Sequence, residues 1–287
     1  MFSIAWPRIF PDGKGKPNKK GMEFYRNLVE LLVDNGIKPV ATLFHWEMPQ
    51  KLQDAGGWAN RVTAMHFEMY EKDIAAANRH SDFLNGWFLD PIFKGKYPEG
   101  LVNWLADKVV FPEIKDGDME IISTPVDFLG LNSYSSSSVL HDSRDWPLQT
   151  GFANTGKRRT DSGWEIYPEG LYDLLLYLHE EYNGVKIIIT ENGAAFRDII
   201  DGDGKIDDDD RLHYLNDHIV QVHKAINEGV NVAGYNVWSF LDNFEWNMGY
   251  SIRFGMVYVD YKTQKRTIKK SGLWYKNVIS NNSITTE

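Results

Sequence analysis

One glutamate stands where a buried strand ends, and this position suggests catalytic chemistry. Ile187–Ile189 are three β-branched apolar residues in a row, which is typical of a strand buried on both faces. Thr190 and Glu191 follow, and Asn192-Gly193 then indicates a turn. Barrel enzymes place catalytic side chains at the C-terminal tips of parallel strands. A glutamate that caps an ordinary loop is the alternative, and this stretch alone leaves both open.

Strands and helices alternate on either side of this glutamate. Helices are predicted from apolar residues at helical spacing, and strands from short apolar runs bounded by turns. The predicted order is strand 2–9, helix 18–35, strand 38–44, helix 61–90, strand 127–134, helix 167–182, strand 187–190, helix 211–228 and strand 230–240. Such alternation indicates parallel βα units. We therefore expect an α/β fold in which residues 1–287 form a single domain.

Composition excludes several classes of partner and site. The net charge of −9 disfavours nucleic acid and anionic membranes as partners. The chain has no cysteine, so disulfides and thiolate metal sites are excluded. Asp201–Asp207 looks like a calcium loop but lacks the glycine and glutamate of an EF-hand, and the eight histidines show no ligand spacing. We predict no metal and no cofactor.

Two further features of the composition bear on location and ligand. No apolar run approaches the roughly 20 residues of a membrane helix, and Met1–Ala5 does not resemble a signal peptide, so a cytoplasmic protein is predicted. Ten tryptophans are many for this length. Their flat apolar faces and polar N–H groups suit a sugar-binding cleft, although packing in a core is the simpler explanation for some of them.

Seven segments follow one another along nearly the whole chain: Phe2–Ile9, Leu43–Pro49, Trp87–Pro91, Asp127–Tyr134, Ile189–Gly193, Trp238–Trp246 and Arg253–Tyr261. Together and in this order they resemble glycoside hydrolase family 1, the β-glucosidase family. Any one of them would be weak support, whereas seven in series leave little room for chance. The resemblance implies a fold derived from the (β/α)₈ barrel and retaining hydrolysis of a small-molecule β-glycoside.

Three residues match the catalytic centre of the family. Glu191 matches the nucleophile, a carboxylate that attacks the anomeric carbon and forms a glycosyl-enzyme. Tyr134 and Arg8 match residues that keep this carboxylate charged and aimed. For Arg8 the alternative is a buried salt-bridge partner, which is nearly the same physical role.

A second group of residues matches the sugar-binding part of the family site. Glu245 would accept hydrogen bonds from sugar hydroxyls, and Trp238 would offer its face to the C–H face of the ring. A carboxylate at this position repels phosphate, so the resemblance favours a neutral glucoside or galactoside over a 6-phosphorylated sugar. The residues of this group are His45, Trp46, Asn132, Trp238, Glu245, Trp246 and Phe254.

The second carboxylate of the family mechanism is missing. In the family, the acid/base glutamate lies in an Asn-Glu-Pro triplet after the fourth strand, and no such triplet occurs here. Segments that flank that region in the family are joined directly near Tyr70–Asp73. The chain also starts within the family's second strand. We therefore expect an incomplete barrel with about five of eight strands, short by roughly 90 residues.

The missing carboxylate leaves three hypotheses open. The first is a truncated β-glucosidase with weakened activity, in which Glu47 is a weak candidate for the lost acid/base role. The second is a sugar-binding pseudoenzyme without hydrolysis. The third is a fragment that functions with a partner chain. Because strands beside a gap have unpaired edges that favour association, a homo-oligomer is also predicted.

Overall fold

A computed structural model describes residues 2–11, 16–37, 39, 41–42, 64–66, 71–111 and 113–284. The chain divides into two compact units, Met1–Arg61 and Val62–Glu287. No described helix is long and apolar enough to cross a bilayer. Among the same residues, no cluster of three or more histidine, aspartate or glutamate side chains could hold a metal ion.

The first unit contains two short strands and two helices. Strand β1 (Phe2–Ser3) pairs in parallel with β2 (Ala41–Thr42). Helix α1 spans Trp6–Ile9, so the prediction of a continuous strand over 2–9 is wrong at this point. Pro7 in the first turn presets a helical φ angle there, which apolar patterning does not reveal.

Helix α2 (Lys19–Asp34) confirms the helix predicted over 18–35. Its N-cap, Asn18, accepts a hydrogen bond from the backbone N–H of Lys20 through its side chain, which satisfies one of the free donors of the first turn. The rest of the strand predicted over 38–44, apart from Ala41–Thr42, rests largely on positions outside the described residues.

The second unit holds the remaining described helices and strands, and its described strands form three separate sheets. In chain order they are β3 (Ala64–His66), α3 (Glu71–Ser81), a π-helical turn (Asp82–Gly86), α4 (Trp87–Lys94), α5 (Glu99–Leu105), α6 (Asp118–Ile122), β4 (Leu129–Asn132), β5 (Ser136–His141), β6 (Thr150–Phe152), α7 (Glu169–Glu181), β7 (Ile187–Asn192), α8 (Asp209–Asn227), β8 (Val232–Val237), a 3₁₀ turn (Trp246–Met248), β9 (Val257–Val259), β10 (Arg266–Ile268) and α9 (Lys270–Asn281).

The central sheet of this unit has the order β4-β7-β8, with all three strands parallel. Ile187 and Ile189 of β7 are fully buried, as their apolar run predicts. Leu171, Leu175 and Leu178 of α7 pack in the same cluster and cover one face of the sheet. Parallel strands with helical crossovers are buried on both faces, which explains the continuous apolar sequence of β7.

Two smaller sheets were not expected. The helix predicted over 61–90 is wrong at Ala64–His66, which forms β3 and pairs in parallel with Ser136–Ser138 of β5. Strand β5 also pairs antiparallel with β6, and β9 with β10. These strands are short, and partners distant in sequence supply their hydrogen bonds. Local patterning therefore carries little information about them.

Candidate active site

Several predicted catalytic and sugar-binding residues of the second unit lie at the carboxyl ends of β4, β7 and β8: Asn132, Tyr134, Glu191 and Trp238. Asn132 is the register partner of Glu191 on the neighbouring strand. The backbone N–H of Ser133 donates to the Glu191 carbonyl at 2.9 Å, and that of Trp238 donates to the Asn192 carbonyl at 2.8 Å. This backbone ladder places the tips of three strands side by side.

Gly193 allows the close approach of the chains at this edge. A Cβ atom at position 193 would collide with the carbonyl oxygen of Trp238. The turn after Glu191 therefore requires glycine, because any side chain would push apart the two segments that carry the candidate residues.

Glu191 is almost completely buried, with 4% of its surface exposed. The phenol of Tyr134 donates a hydrogen bond of 2.5 Å to its Oε2 atom. Burial raises the pKa of Tyr134, and the nearby negative charge of Glu191 raises it further. The phenol therefore remains protonated and acts as a donor that stabilises and orients the carboxylate.

Aromatic rings and backbone contacts hold Tyr134 in place. Its ring centroid lies 5.0 Å from that of Trp164 and 6.2 Å from that of Phe254, and the last two lie 5.8 Å apart. The Tyr214 hydroxyl donates to the backbone carbonyl of Tyr134 at 2.6 Å. The donor to Glu191 is thus fixed from both its side chain and its main chain.

Asn192 and Tyr214 extend this network into the core. Asn192 is fully buried, and its side-chain amide donates to the Ser133 carbonyl at 2.7 Å. Tyr235 donates to Asn192 Oδ1 at 2.5 Å. Every one of these contacts joins a strand end to a neighbouring strand or to α8, so the network makes the edge of the sheet rigid.

His218 supports Tyr214 from the next turn of α8. The two rings stack with centroids 3.9 Å apart, and His218 Nδ1–H donates to the Tyr214 carbonyl at 2.7 Å. Burial lowers the pKa of His218 to about 4, although the hydrogen bond acts in the opposite direction. The imidazole is therefore neutral in the folded protein at neutral pH.

Acid is expected to destabilise the protein through His218. Below pH 6.5 the unfolded chain binds a proton at this residue, whereas the folded protein binds it only near pH 4. The free energy of unfolding is therefore unaffected by this group above pH 6.5, and protonation lowers it by about 3 kcal/mol between pH 6.5 and pH 4. Urea unfolding from pH 7 to pH 4 should show that loss for wild type and a smaller loss for His218→Phe. His223→Phe, at an exposed position of the same helix, is the control, and equal losses in all three proteins would contradict the assignment.

Glu245 and Trp238 form the second part of the arrangement. Trp238 Nε1 donates to Glu245 Oε1 at 3.3 Å, and Glu245 is 7% exposed. Burial raises the pKa of Glu245, the hydrogen bond from Trp238 lowers it, and the negative charge of Glu191 raises it. The two carboxylates are thus close enough to interact.

The other predicted residues occupy different environments. Thr190 donates to Asn132 Oδ1 at 2.7 Å, and Asn132 is exposed at the tip of β4. Phe254 is buried, whereas Trp246 is 51% exposed. An exposed tryptophan beside a buried carboxylate offers an apolar face to a ligand.

Three predicted residues do not belong to the second unit. Arg8 lies in α1, and its guanidinium stands 4.2 Å over the ring of Phe24. Its predicted role beside Glu191 stays a prediction. His45 and Trp46 lie outside the described residues, and their predicted roles also stay predictions.

Several contributors to this site were not predicted. Tyr214, Tyr235 and Trp164 contact the candidate residues directly or through one neighbour. Tyr214 lies on the apolar stripe of a predicted helix, where its spacing indicates only a core position. Nothing in its local sequence indicates that its hydroxyl reaches a strand end 80 residues away.

Comparison with known proteins identifies the family. The sequence profile described as Glycosyl hydrolase family 1 matches residues 1–73 and 69–284. The chain belongs to glycosyl hydrolase family 1. The two matches meet at the point where the Asn-Glu-Pro region of the family is expected.

Two similar proteins of this family are β-glucosidases. Beta-glucosidase A of Acetivibrio thermocellus is 37% identical over an alignment of 372 residues, which covers 98% of this chain and 82% of the relative. Beta-glucosidase A of Thermotoga maritima is 38% identical over an alignment of 370 residues, which covers 99% of this chain and 82% of the relative. Since this chain has 287 residues, both relatives carry a long segment that it lacks.

Solved structures agree with the sequence comparison. The family 1 β-glucosidase of Thermotoga maritima superposes with a TM-score of 0.86 at 36% identity, covering 99% of this chain and 83% of that one. The same enzyme has been solved in complex with deoxynojirimycin, again with a TM-score of 0.86. The predicted fold class is confirmed: the chain is an α/β protein derived from the TIM barrel of the family. Among the described residues the strands form separate sheets, as expected of an incomplete barrel.

Proposed function

We propose that this family 1 chain is a retaining hydrolase of neutral β-glucosides or β-galactosides, with activity weakened by the lack of an acid/base carboxylate. The observation that carries the proposal is the buried Glu191 at a strand tip, with the Tyr134 phenol hydrogen-bonded to it. A carboxylate fixed in this way is suited to nucleophilic attack, since its orientation is set before substrate binds.

The proposed reaction proceeds in two displacements. A carboxylate oxygen of Glu191 attacks the anomeric carbon, and the bond to the leaving group breaks with its electrons remaining on the leaving oxygen. Water then attacks the same carbon, releases the sugar and regenerates Glu191, and its proton passes to solvent. Two inversions give net retention of configuration.

Sugar recognition is assigned to the segment between Trp238 and Trp246. Glu245 accepts a hydrogen bond from Trp238 through Oε1, and we assign its second carboxylate oxygen to sugar hydroxyls. The exposed face of Trp246 suits the apolar face of a pyranose ring. Two acidic groups, Glu191 and Glu245, lie near each other here and disfavour a phosphorylated sugar.

A normal family member uses a second carboxylate to protonate the leaving group and to activate water. The Asn-Glu-Pro triplet that carries it is absent from this sequence. General acid–base assistance contributes about 10²–10⁴-fold to such reactions. We therefore propose slow turnover and a strong preference for substrates whose leaving group needs no proton.

The missing triplet also favours a second candidate function, sugar binding without hydrolysis. In that case Trp238 and Glu245 would still bind a monosaccharide, and no glycosyl-enzyme would form. We further propose that the chain associates, either with copies of itself or with a complementing partner chain. A cytoplasmic location is also proposed.

Covalent trapping distinguishes the hydrolase from the binding protein. The protein is incubated with 2,4-dinitrophenyl 2-deoxy-2-fluoro-β-glucoside, whose leaving group needs no acid, and intact mass and peptide mapping follow. We expect one added sugar, attached at Glu191, and none in Glu191→Gln. Glu180→Gln, at an exposed position of α7, is the control and should be labelled like wild type. Sugar binding detected by calorimetry without any label would establish the second candidate instead.

A further inference from the structure

Six charged side chains are buried or half-buried beneath the loops that carry the candidate site. They form a network of alternating sign, and each acid contacts at least one base. Its members are Asp198, Asp208, Asp242, Arg211, Arg253 and Lys269. No step of the proposed reaction uses these groups. Burying them nevertheless costs a large hydration free energy, which the ion pairs offset.

One side of the network fastens the loop after Glu191. Arg211 is fully buried on α8, and its guanidinium donates to the backbone carbonyls of Ala194 at 3.3 Å and Phe196 at 3.1 Å. It also forms an ion pair with Asp198 at 3.1 Å. These three acceptors lie three, five and seven positions after Glu191.

The other side fastens the loop between Trp238 and Glu245. Asp242 is 4% exposed, and Oδ1 accepts a hydrogen bond from the backbone N–H of Gly255 at 3.0 Å. Its Oδ2 accepts one from Arg253 at 2.5 Å. Asp242 therefore anchors the middle of the segment whose ends are the two sugar-binding candidates.

Lys269 joins the two sides. Its ammonium group contacts Asp198 Oδ2 at 2.5 Å and Asp242 Oδ1 at 2.9 Å, and its side chain is fully buried. Its backbone N–H donates to the Met256 carbonyl at 2.9 Å, which fixes the base of the side chain. A single cation thus touches one acid from each loop.

We propose that Lys269 is a positioning residue that sets the spacing between the loop that follows Glu191 and the loop that carries Trp238 and Glu245. Its catalytic consequence rests on the proposed hydrolase function. A nucleophile at the end of β7 and a sugar-binding carboxylate on the segment after β8 must keep a fixed separation to present the anomeric carbon for attack. A compact ammonium between two buried carboxylates holds that separation, because moving either loop breaks one of its two buried ion pairs.

The test uses variants that remove the contacts of Lys269 with the two acids while keeping the numbers of buried positive and negative charges equal. Lys269→Met alone leaves an acid uncompensated and can fail to fold. The double variant Lys269→Met with Asp198→Asn removes one charge of each sign, and Asp242 keeps Arg253 while Arg211 keeps Asp208. Asp198→Asn alone loses the same Arg211–Asp198 pair but keeps the contact between Lys269 and Asp242, so the double variant is compared with it. Lys269→Arg retains the cation. The control is Lys270→Met, since Lys270 pairs with Asp209 at the surface at 2.7 Å.

Hydrogen exchange measures the link without any need for activity. In the double variant we expect faster exchange at both 193–198 and 238–245, with unchanged exchange in α7. Lys269→Arg and Lys270→Met should resemble wild type. Unchanged exchange in both loops of the double variant would overturn the proposal, even if wild type proves to have no glucosidase activity.

Kinetics with 4-nitrophenyl β-glucoside measures the consequence. Misplacing the loops should lower kcat/KM of the double variant by about a hundredfold, with a rise in KM as part of it. A purely structural role would reduce the amount of folded enzyme, and so the apparent kcat, while leaving KM unchanged. That result would refute a positioning role. A wild-type protein without turnover would count against the proposed function, and the exchange data would then decide on Lys269 alone.

Discussion

Replacing Glu191 by glutamine is expected to reduce hydrolysis of 4-nitrophenyl β-glucoside by about 10³-fold or more, because removal of a catalytic nucleophile eliminates the covalent route. The side chain keeps its size and can still accept the hydrogen bond of Tyr134 through its amide oxygen. The fold should therefore survive. The measurement is initial rate under saturating substrate, normalised to folded protein by circular dichroism.

Glu180→Gln is the matched control for this prediction, since it makes the same change of side chain on the exposed surface of α7. It should leave the rate unaltered. A Glu191→Gln protein that keeps the wild-type rate would show that another group attacks the sugar, and the assignment of the nucleophile would be abandoned.

Activity should also depend steeply on the leaving group. A protein without a general acid cannot protonate a departing alkoxide, so an alkyl glucoside or cellobiose loses about 10²–10⁴-fold of assistance that an intact family mechanism supplies. Nitrophenolates leave without a proton and are spared. A series of aryl glucosides, from dinitrophenyl to phenyl, measures this dependence through kcat/KM.

Azide provides the second half of that experiment. It needs no general base, so it should capture the glycosyl-enzyme faster than water does and raise turnover of 2,4-dinitrophenyl β-glucoside. The product expected from two inversions is the β-glucosyl azide. Glu191→Gln should not respond. Rates that are high, flat across the leaving groups and insensitive to azide would mean that another carboxylate serves as acid/base, and Glu47→Gln would then be the next variant.

Local sequence was sufficient for the long helices and for the central strand. Helices α2, α7 and α8 were predicted to within a few residues because their apolar positions recur at helical spacing over many residues. Strand β7 was predicted because its unbroken β-branched run suits burial on both faces.

Short elements were missed for a physical reason. Strand β3 has only three residues and exists through its pairing with β5, some 70 residues further along the chain. Helix α1 interrupts a run that looks extended. For β3 the backbone conformation is set by a partner that local patterning does not identify, and for α1 it is set by Pro7, whose fixed φ angle apolar patterning does not register.

The sequence by itself determined the family, the catalytic candidate Glu191 and the absence of an Asn-Glu-Pro triplet, since each is carried by residue types in contiguous motifs. Only the tertiary structure decided which groups outside the family motifs hold Tyr134 beside that glutamate and connect the loop after Glu191 to the loop that carries Glu245. Tyr214 reaches Tyr134 across 80 positions, and Lys269 reaches Asp198 across 71. Hydrogen bonds and ion pairs act over a few ångströms in space regardless of distance along the chain, so such partners emerge only when strand ends, helices and loops have come together.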